Sequence, residues 1–170
     1  MIEVGARSLM EPIENKAIIS MVSEEFRELP FAETEITIPV VSPKRTFLEK
    51  IFLLHEEFQK DTQFIRVERM SRHLYDLEKL MDTIHGTEAL KAIELYNTIV
   101  AHRKNFNAIR GIDYANHNPQ LINILPPEET IKDWEKDYKT MQESMFYGNT
   151  LSFSKMMERI AELNARIKTM

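Results

Sequence analysis

The chain of 170 residues has no cysteine. Disulfides, cysteine-based zinc sites and a thiol nucleophile are therefore excluded. Glycine is scarce, with four in all, and none forms a Gly-rich loop that could cradle phosphates. No apolar run approaches the roughly 18–20 residues that span a bilayer, so no membrane is expected as a partner. The first residues carry no basic-then-apolar signal region, and the expected location is cytoplasmic. An excess of positive charge is missing too. The net charge is −5, which argues against nonspecific nucleic-acid binding by bulk charge. Locally the balance differs, because residues 44–79 are close to neutral while the remainder is acidic. What is present, 43% hydrophobic and 29% charged residues, suffices for one globular domain with a real core, or one compact half of a larger protein.

The organising stretch is Arg69-Met70-Ser71-Arg72-His73-Leu74-Tyr75-Asp76-Leu77-Glu78-Lys79-Leu80. At helical spacing Arg69, Arg72, His73 and Asp76 share one face, and Met70, Leu74, Leu77 and Met81 share another. The second face is a core stripe. The first has two readings. Arg72 and Asp76 form an ordinary solvated i, i+4 pair worth about 0.2–0.5 kcal/mol, or Asp76 is a carboxylate held by Arg72 and aimed at a metal or a phosphate. Periodicity does not choose between them.

Along the chain, Met1 to Arg7 reads as a strand that begins without a cap or turn. Lys16 to Val22 reads as a second strand, with a helix through Phe26 as the alternative. Glu35 to Val41 alternates and is β-branched, so it reads as a third, with Pro39 confining it to an edge. Ser42-Pro43 then signals a helix start, Ser42 as N-cap and Pro43 at the first helical position. That helix runs to about Lys60 on a stripe of Phe47, Ile51, Leu54 and Phe58, widened by Leu48, Phe52 and His55. Glu49 and Lys50 lie in its middle, where a charge needs a partner or a water-filled cleft. The organising helix follows, from about Arg66 to Thr83. Gly86 ends that turn and Thr87 caps the next helix, which runs to about Lys104 with Ala89, Ile93, Tyr96 and Val100 inward. Residues 105–125 read as a long loop. Two amphipathic helices close the chain, over Glu128–Phe146 and Leu151–Lys168, and their matching stripes predict an antiparallel hairpin.

Strands first and helices after give an α+β class, predominantly α, with a few N-terminal strands followed by a bundle of about five helices. The five histidines (His55, His73, His85, His102, His117) show no metal-ligand spacing. Trp134 and most methionines are core material. His102-Arg103-Lys104 is a basic cluster suited to a solvated helix end, with RNA contact as the functional alternative.

Three motifs in order resemble the AbiEii/AbiGii-type nucleotidyltransferase toxins of the DNA polymerase β-like superfamily. They are Pro43-x-x-Thr46-Phe47-x-x-Lys50, then Arg72-His73-Leu74-Tyr75-Asp76-Leu77, then a tail of Asp137-Tyr138, Met141, Met145 and Phe146-Tyr147-Gly148 before the Phe153 helix. The resemblance covers essentially the whole chain. It implies that Lys50 contacts nucleotide phosphates, that Arg72 assists nucleotide binding by orienting Asp76, and that Asp76 is an active-cleft carboxylate and metal ligand. It also implies that Glu3, in Ile2-Glu3-Val4, is a further metal carboxylate. The implied cofactor is Mg²⁺. The implied partners are a nucleoside triphosphate, an RNA acceptor such as tRNA, and a cognate antitoxin of a bacterial phage-defence pair. One departure is large. The superfamily's Gly-Ser turn and its Asp-x-Asp pair are both absent from these 170 residues. The expectation is that residues 1–42 are a strand-bearing remnant of the nucleotidyltransferase core, that 43–170 are its C-terminal helical domain, and that the missing motifs lie upstream of Met1. On that expectation the chain is inactive alone. The alternative is a non-enzymatic helical module that binds a protein partner.

Overall fold

The computed structural model describes residues 12–170. Glu3 and the strand expected over residues 1–7 lie outside them. The chain divides into two compact units, Met1–Ser42 and Pro43–Met170.

In the first unit β1 (Ile13–Ile18) pairs antiparallel with β2 (Ile36–Val41), Ile13 opposite Val41 and Asn15 opposite Pro39. Both readings of residues 16–26 are realised in succession. The strand ends at Ile18, and α1 (Met21–Glu25) begins after Ser20, whose hydroxyl accepts the Ser23 N–H at 3.1 Å. Ser42, expected as an N-cap, donates its hydroxyl to Glu14 at 3.0 Å.

The second unit is built on α2 (Pro43–Phe58), with Phe47, Leu48, Ile51, Phe52 and Leu54 fully buried. Apolar residues on most sides make it the central element, and α3 (Ser71–Leu80), α4 (Ile84–Ala89) and α5 (Ile93–His102) all pack on it. Two helices complete the unit, α6 (Ile131–Ser144) and α7 (Phe153–Ile167). The structure is thus mostly helical, with seven helices and one two-stranded sheet among the described residues.

Three expectations change in detail. The helix expected over residues 87–104 is interrupted at residues 90–92, so Ala89 and Tyr96 are buried but Ile93 is 45% exposed. Residues 105–125 are not simply a loop. They hold the end of one π-turn (Arg103–Asn107) and two 3₁₀ turns (Tyr114–His117, Pro119–Leu121). The last two helices each meet α3 more extensively than they meet each other. Leu74 and Leu77 of α3, Trp134 and Tyr138 of α6, and Ile160 and Leu163 of α7 form one continuous core.

Gly86 is not a terminator but lies inside α4, capped by the Thr83 hydroxyl. A β-carbon there would sit 2.3 Å from the Leu80 carbonyl oxygen and 2.9 Å from the Met81 Cα. Backbone, not a yielding side chain, occupies that space. In a helix Gly→Ala ordinarily gains about 0.5–1 kcal/mol. Here Gly86→Ala is expected to lose about 1–3 kcal/mol, the cost of overpacking, and urea unfolding of the variant reads the sign directly.

Candidate functional site

The organising helix is shorter at its start than its periodicity predicts. Arg69 has a left-handed backbone, φ 59°, so it stands outside α3 and does not share a helical face with Arg72. What holds that turn is Asp137, from α6. Its carboxylate accepts the Arg69 N–H at 2.6 Å and the Ser71 N–H at 2.9 Å. It thereby satisfies N–H groups left over at the start of a helix.

From α2 and α3 the fold brings together the residues singled out in the sequence. Lys50 Nζ stands 2.7 Å from Asp76 Oδ2 and 3.4 Å from His73 Nδ1. The ion pair foreseen between Arg72 and Asp76 is replaced by Lys50–Asp76, because α2 presents its ammonium directly to that carboxylate. Arg72 makes no ion pair with any described residue. It lines a cavity of about 280 Å³ together with Tyr75, Asp76, Met145, Phe146 and Tyr147. His73 is held neutral, its pKa lowered from 6.5 to about 4 by burial first and then by the charges of Lys50 and Arg72. The uncharged imidazole leaves the Lys50 ammonium as the charge that meets Asp76, with Arg72 on the cavity side.

The floor of α2 carries a second polar cluster. Arg45 is buried and pairs with Glu49 at 3.2 Å. Arg103 is also buried. Its Nε donates to Glu56 Oε1 at 2.8 Å, and its terminal nitrogens bind Glu56 and Glu49. His117 Nε2 reaches the same Glu56 oxygen at 3.2 Å. Burial would raise the Glu56 carboxyl, but hydrogen bonds from Arg103 and His117 hold it below its ordinary value. Arg103 is therefore a core residue, which corrects the solvated-end reading of His102-Arg103-Lys104. Spacing alone offered a hint, since Arg45, Glu49 and Glu56 fall on one helical stripe. Their partners lie about 50 to 60 residues away and leave no local signal.

His55 neighbours this cluster. Its Nδ1 accepts the Asn123 N–H at 3.1 Å, and Nε2 donates to the Asn116 carbonyl at 3.0 Å. Both bonds suit one neutral tautomer. Burial, then the proximity of His117, lowers its pKa from 6.5 to about 4.

Among the described residues no three His, Asp or Glu side chains gather as a metal ion requires. Asp76, the one expected metal carboxylate in view, already carries an ammonium. The described residues therefore do not fit a Mg²⁺ site, which asks for several oxygens around the ion. No helix among them is long and apolar enough to cross a membrane.

Asp76 thus carries the Lys50 ammonium and lines, with Arg72, a small cavity with aromatic walls, an arrangement with the donors to hold an anionic group. The chain matches the family model described as nucleotidyl transferase AbiEii toxin, type IV toxin–antitoxin system, over residues 1–159, and it belongs to that family. Membership implies a nucleotide substrate, an antitoxin, and the metal use general to nucleotidyltransferases. Neither the curated proteins nor the solved structures include a match.

Proposed function

We propose that this chain supplies the phosphate-binding side of a nucleotidyl transfer site. The reaction moves a nucleotide from a nucleoside triphosphate to an RNA acceptor such as tRNA. An acceptor hydroxyl attacks the α-phosphorus and releases its proton to solvent, while the bond from that phosphorus to the bridging oxygen breaks and pyrophosphate leaves with the bonding pair. Lys50 binds the phosphates and offsets the charge that grows on the leaving group. Asp76 aims the ammonium, and Arg72 provides a second cation. The family's Mg²⁺ would act as a Lewis acid on the phosphates; its carboxylates would have to come from outside the described residues, for which Glu3 is a candidate. With no Gly-Ser turn and no Asp-x-Asp pair, the 170-residue chain binds the triphosphate but does not complete transfer alone. On this reading residues 1–42 are the remnant of the catalytic core, 43–170 are the phosphate-binding domain, and the protein works in the cytoplasm against a cognate antitoxin.

The observation that supports this most is the convergence of Lys50 and Asp76 at 2.7 Å from two different helices, beside an Arg72 that has no ion pair among the described residues. Isothermal titration with ATP tests it. Wild type is expected to bind saturably, and Lys50→Ala to bind about tenfold or more weakly, as loss of a charge-assisted contact worth about 1.5–3 kcal/mol requires. Equal affinities in the two proteins would refute the assignment.

One observation favours a second reading, a non-enzymatic module for a protein partner. In the first unit Met21, Val22, Phe31 and Ile36 are all more than half exposed, an apolar display that marks interaction surfaces. A folded wild-type chain that binds no triphosphate would favour it.

A further inference from the structure

Next to Arg72 and Asp76, the same cavity has an aromatic wall to which the phosphate-binding role gives no work. Tyr75 and Phe146 stack in parallel, 4.0 Å between centroids and 14° between planes. The Lys79 ammonium lies 5.3 Å from the Tyr75 centroid, and Tyr138 packs against Phe146 at 5.6 Å. These two rings are engaged already. They fix the chain where α6 has just ended, and the next residue, Tyr147, is 94% exposed. Tyr147 makes no ring contact with any described residue, yet it lines the cavity with Arg72 and Asp76. Gly148 follows with a left-handed backbone, φ 75°.

A large aromatic side chain left almost wholly in water gains nothing for the fold. Here it lines a cavity with Arg72 and with Asp76, the carboxylate that carries the Lys50 ammonium. A nucleotide has a charged end and a flat end. We propose that Tyr147 is the stacking surface for the nucleobase, with Phe146 and Tyr75 as the anchor that holds it beside Arg72. The inference rests on the phosphate-binding reading above and deepens it. Stacking of this kind tolerates every base, because each has a π-face. The seat therefore strengthens nucleotide binding without selecting strongly among ATP, GTP and CTP.

The test is isothermal titration of the full chain with ATP and with inorganic tripolyphosphate, which has the three phosphates and neither ribose nor base. Wild type is expected to bind ATP roughly tenfold more tightly than tripolyphosphate, within the range for one stacked base. Tyr147→Ala should remove that difference and leave tripolyphosphate affinity unchanged. Tyr147→Phe should keep it. The exposure of Tyr147 makes all three proteins fold alike, which circular dichroism verifies. Wild type binding both ligands equally would overturn the base seat while leaving the phosphate site standing. So would a Tyr147→Ala variant that retains the ATP advantage, or one that weakens both ligands alike. Binding of neither ligand would overturn both proposals together.

Discussion

Arg103→Ala is expected to destabilise the protein by about 3–5 kcal/mol, the usual cost of leaving a buried charge without its partner. That is a large share of the roughly 5–15 kcal/mol that holds a domain together. The reason is geometric. Glu56 is 2% exposed, and Arg103 binds both of its oxygens while also binding Glu49. Without the guanidinium, Glu56 keeps only His117 and faces the desolvation that its salt bridge now offsets. Arg103→Lys should recover little, since one ammonium cannot donate along the three directions the guanidinium uses. Pairing Arg103→Met with Glu56→Gln should lose less than the sum of the single changes, because the charge to be neutralised disappears with its partner. Urea unfolding of Arg103→Ala, Arg103→Lys, the two single changes and their pair measures this, and strict additivity would contradict the network.

The second large effect is a fall in stability with acid that begins well above the carboxylate range. His55 and His73 both have pKa values lowered to about 4 in the folded chain, against 6.5 unfolded. Between those values the unfolded chain binds more protons. Their contribution is therefore complete above about pH 6.5 and is lost as pH falls toward 4. For His55, buried and hydrogen-bonded as a neutral ring, this amounts to about 3 kcal/mol at ~1.36 kcal/mol per pH unit. Glu56 and Glu57, held below 4.5 by Arg103 and Arg66 against the effect of burial, add a further loss below that pH. Unfolding free energies at pH 7 and pH 5 should differ clearly. His55→Gln, which can still accept from Asn123 and donate to Asn116, should flatten the decline between them. A wild-type protein equally stable at both values would contradict the buried neutral histidines.

Periodicity made the long helices legible, because α2, α6 and α7 carry unbroken apolar stripes that the core then buries. It failed where the cause lay far away in sequence. Nothing local in Arg66 to Met70 announces that Asp137 sets the start of α3. No proline or glycine marks the break between α4 and α5 either. Gly86, which does punctuate that region, is there for close packing against Leu80. The site was readable only in part. Lys50, Arg72 and Asp76 were marked by the motifs, but which cation meets Asp76 depended on how α2 and α3 cross. Tyr147 lay in a motif that gave it no role, and only its exposure beside the cavity singles it out.

The Lys50 ammonium, now on Asp76, is the group proposed to take the triphosphate. Its side-chain Cε resonance, assigned by comparison with Lys50→Arg, should be followed by NMR as ATP is added. A saturable shift that is abolished in competition with tripolyphosphate is the predicted result. A Lys50 resonance unmoved at ATP concentrations that saturate binding elsewhere on the protein would contradict it.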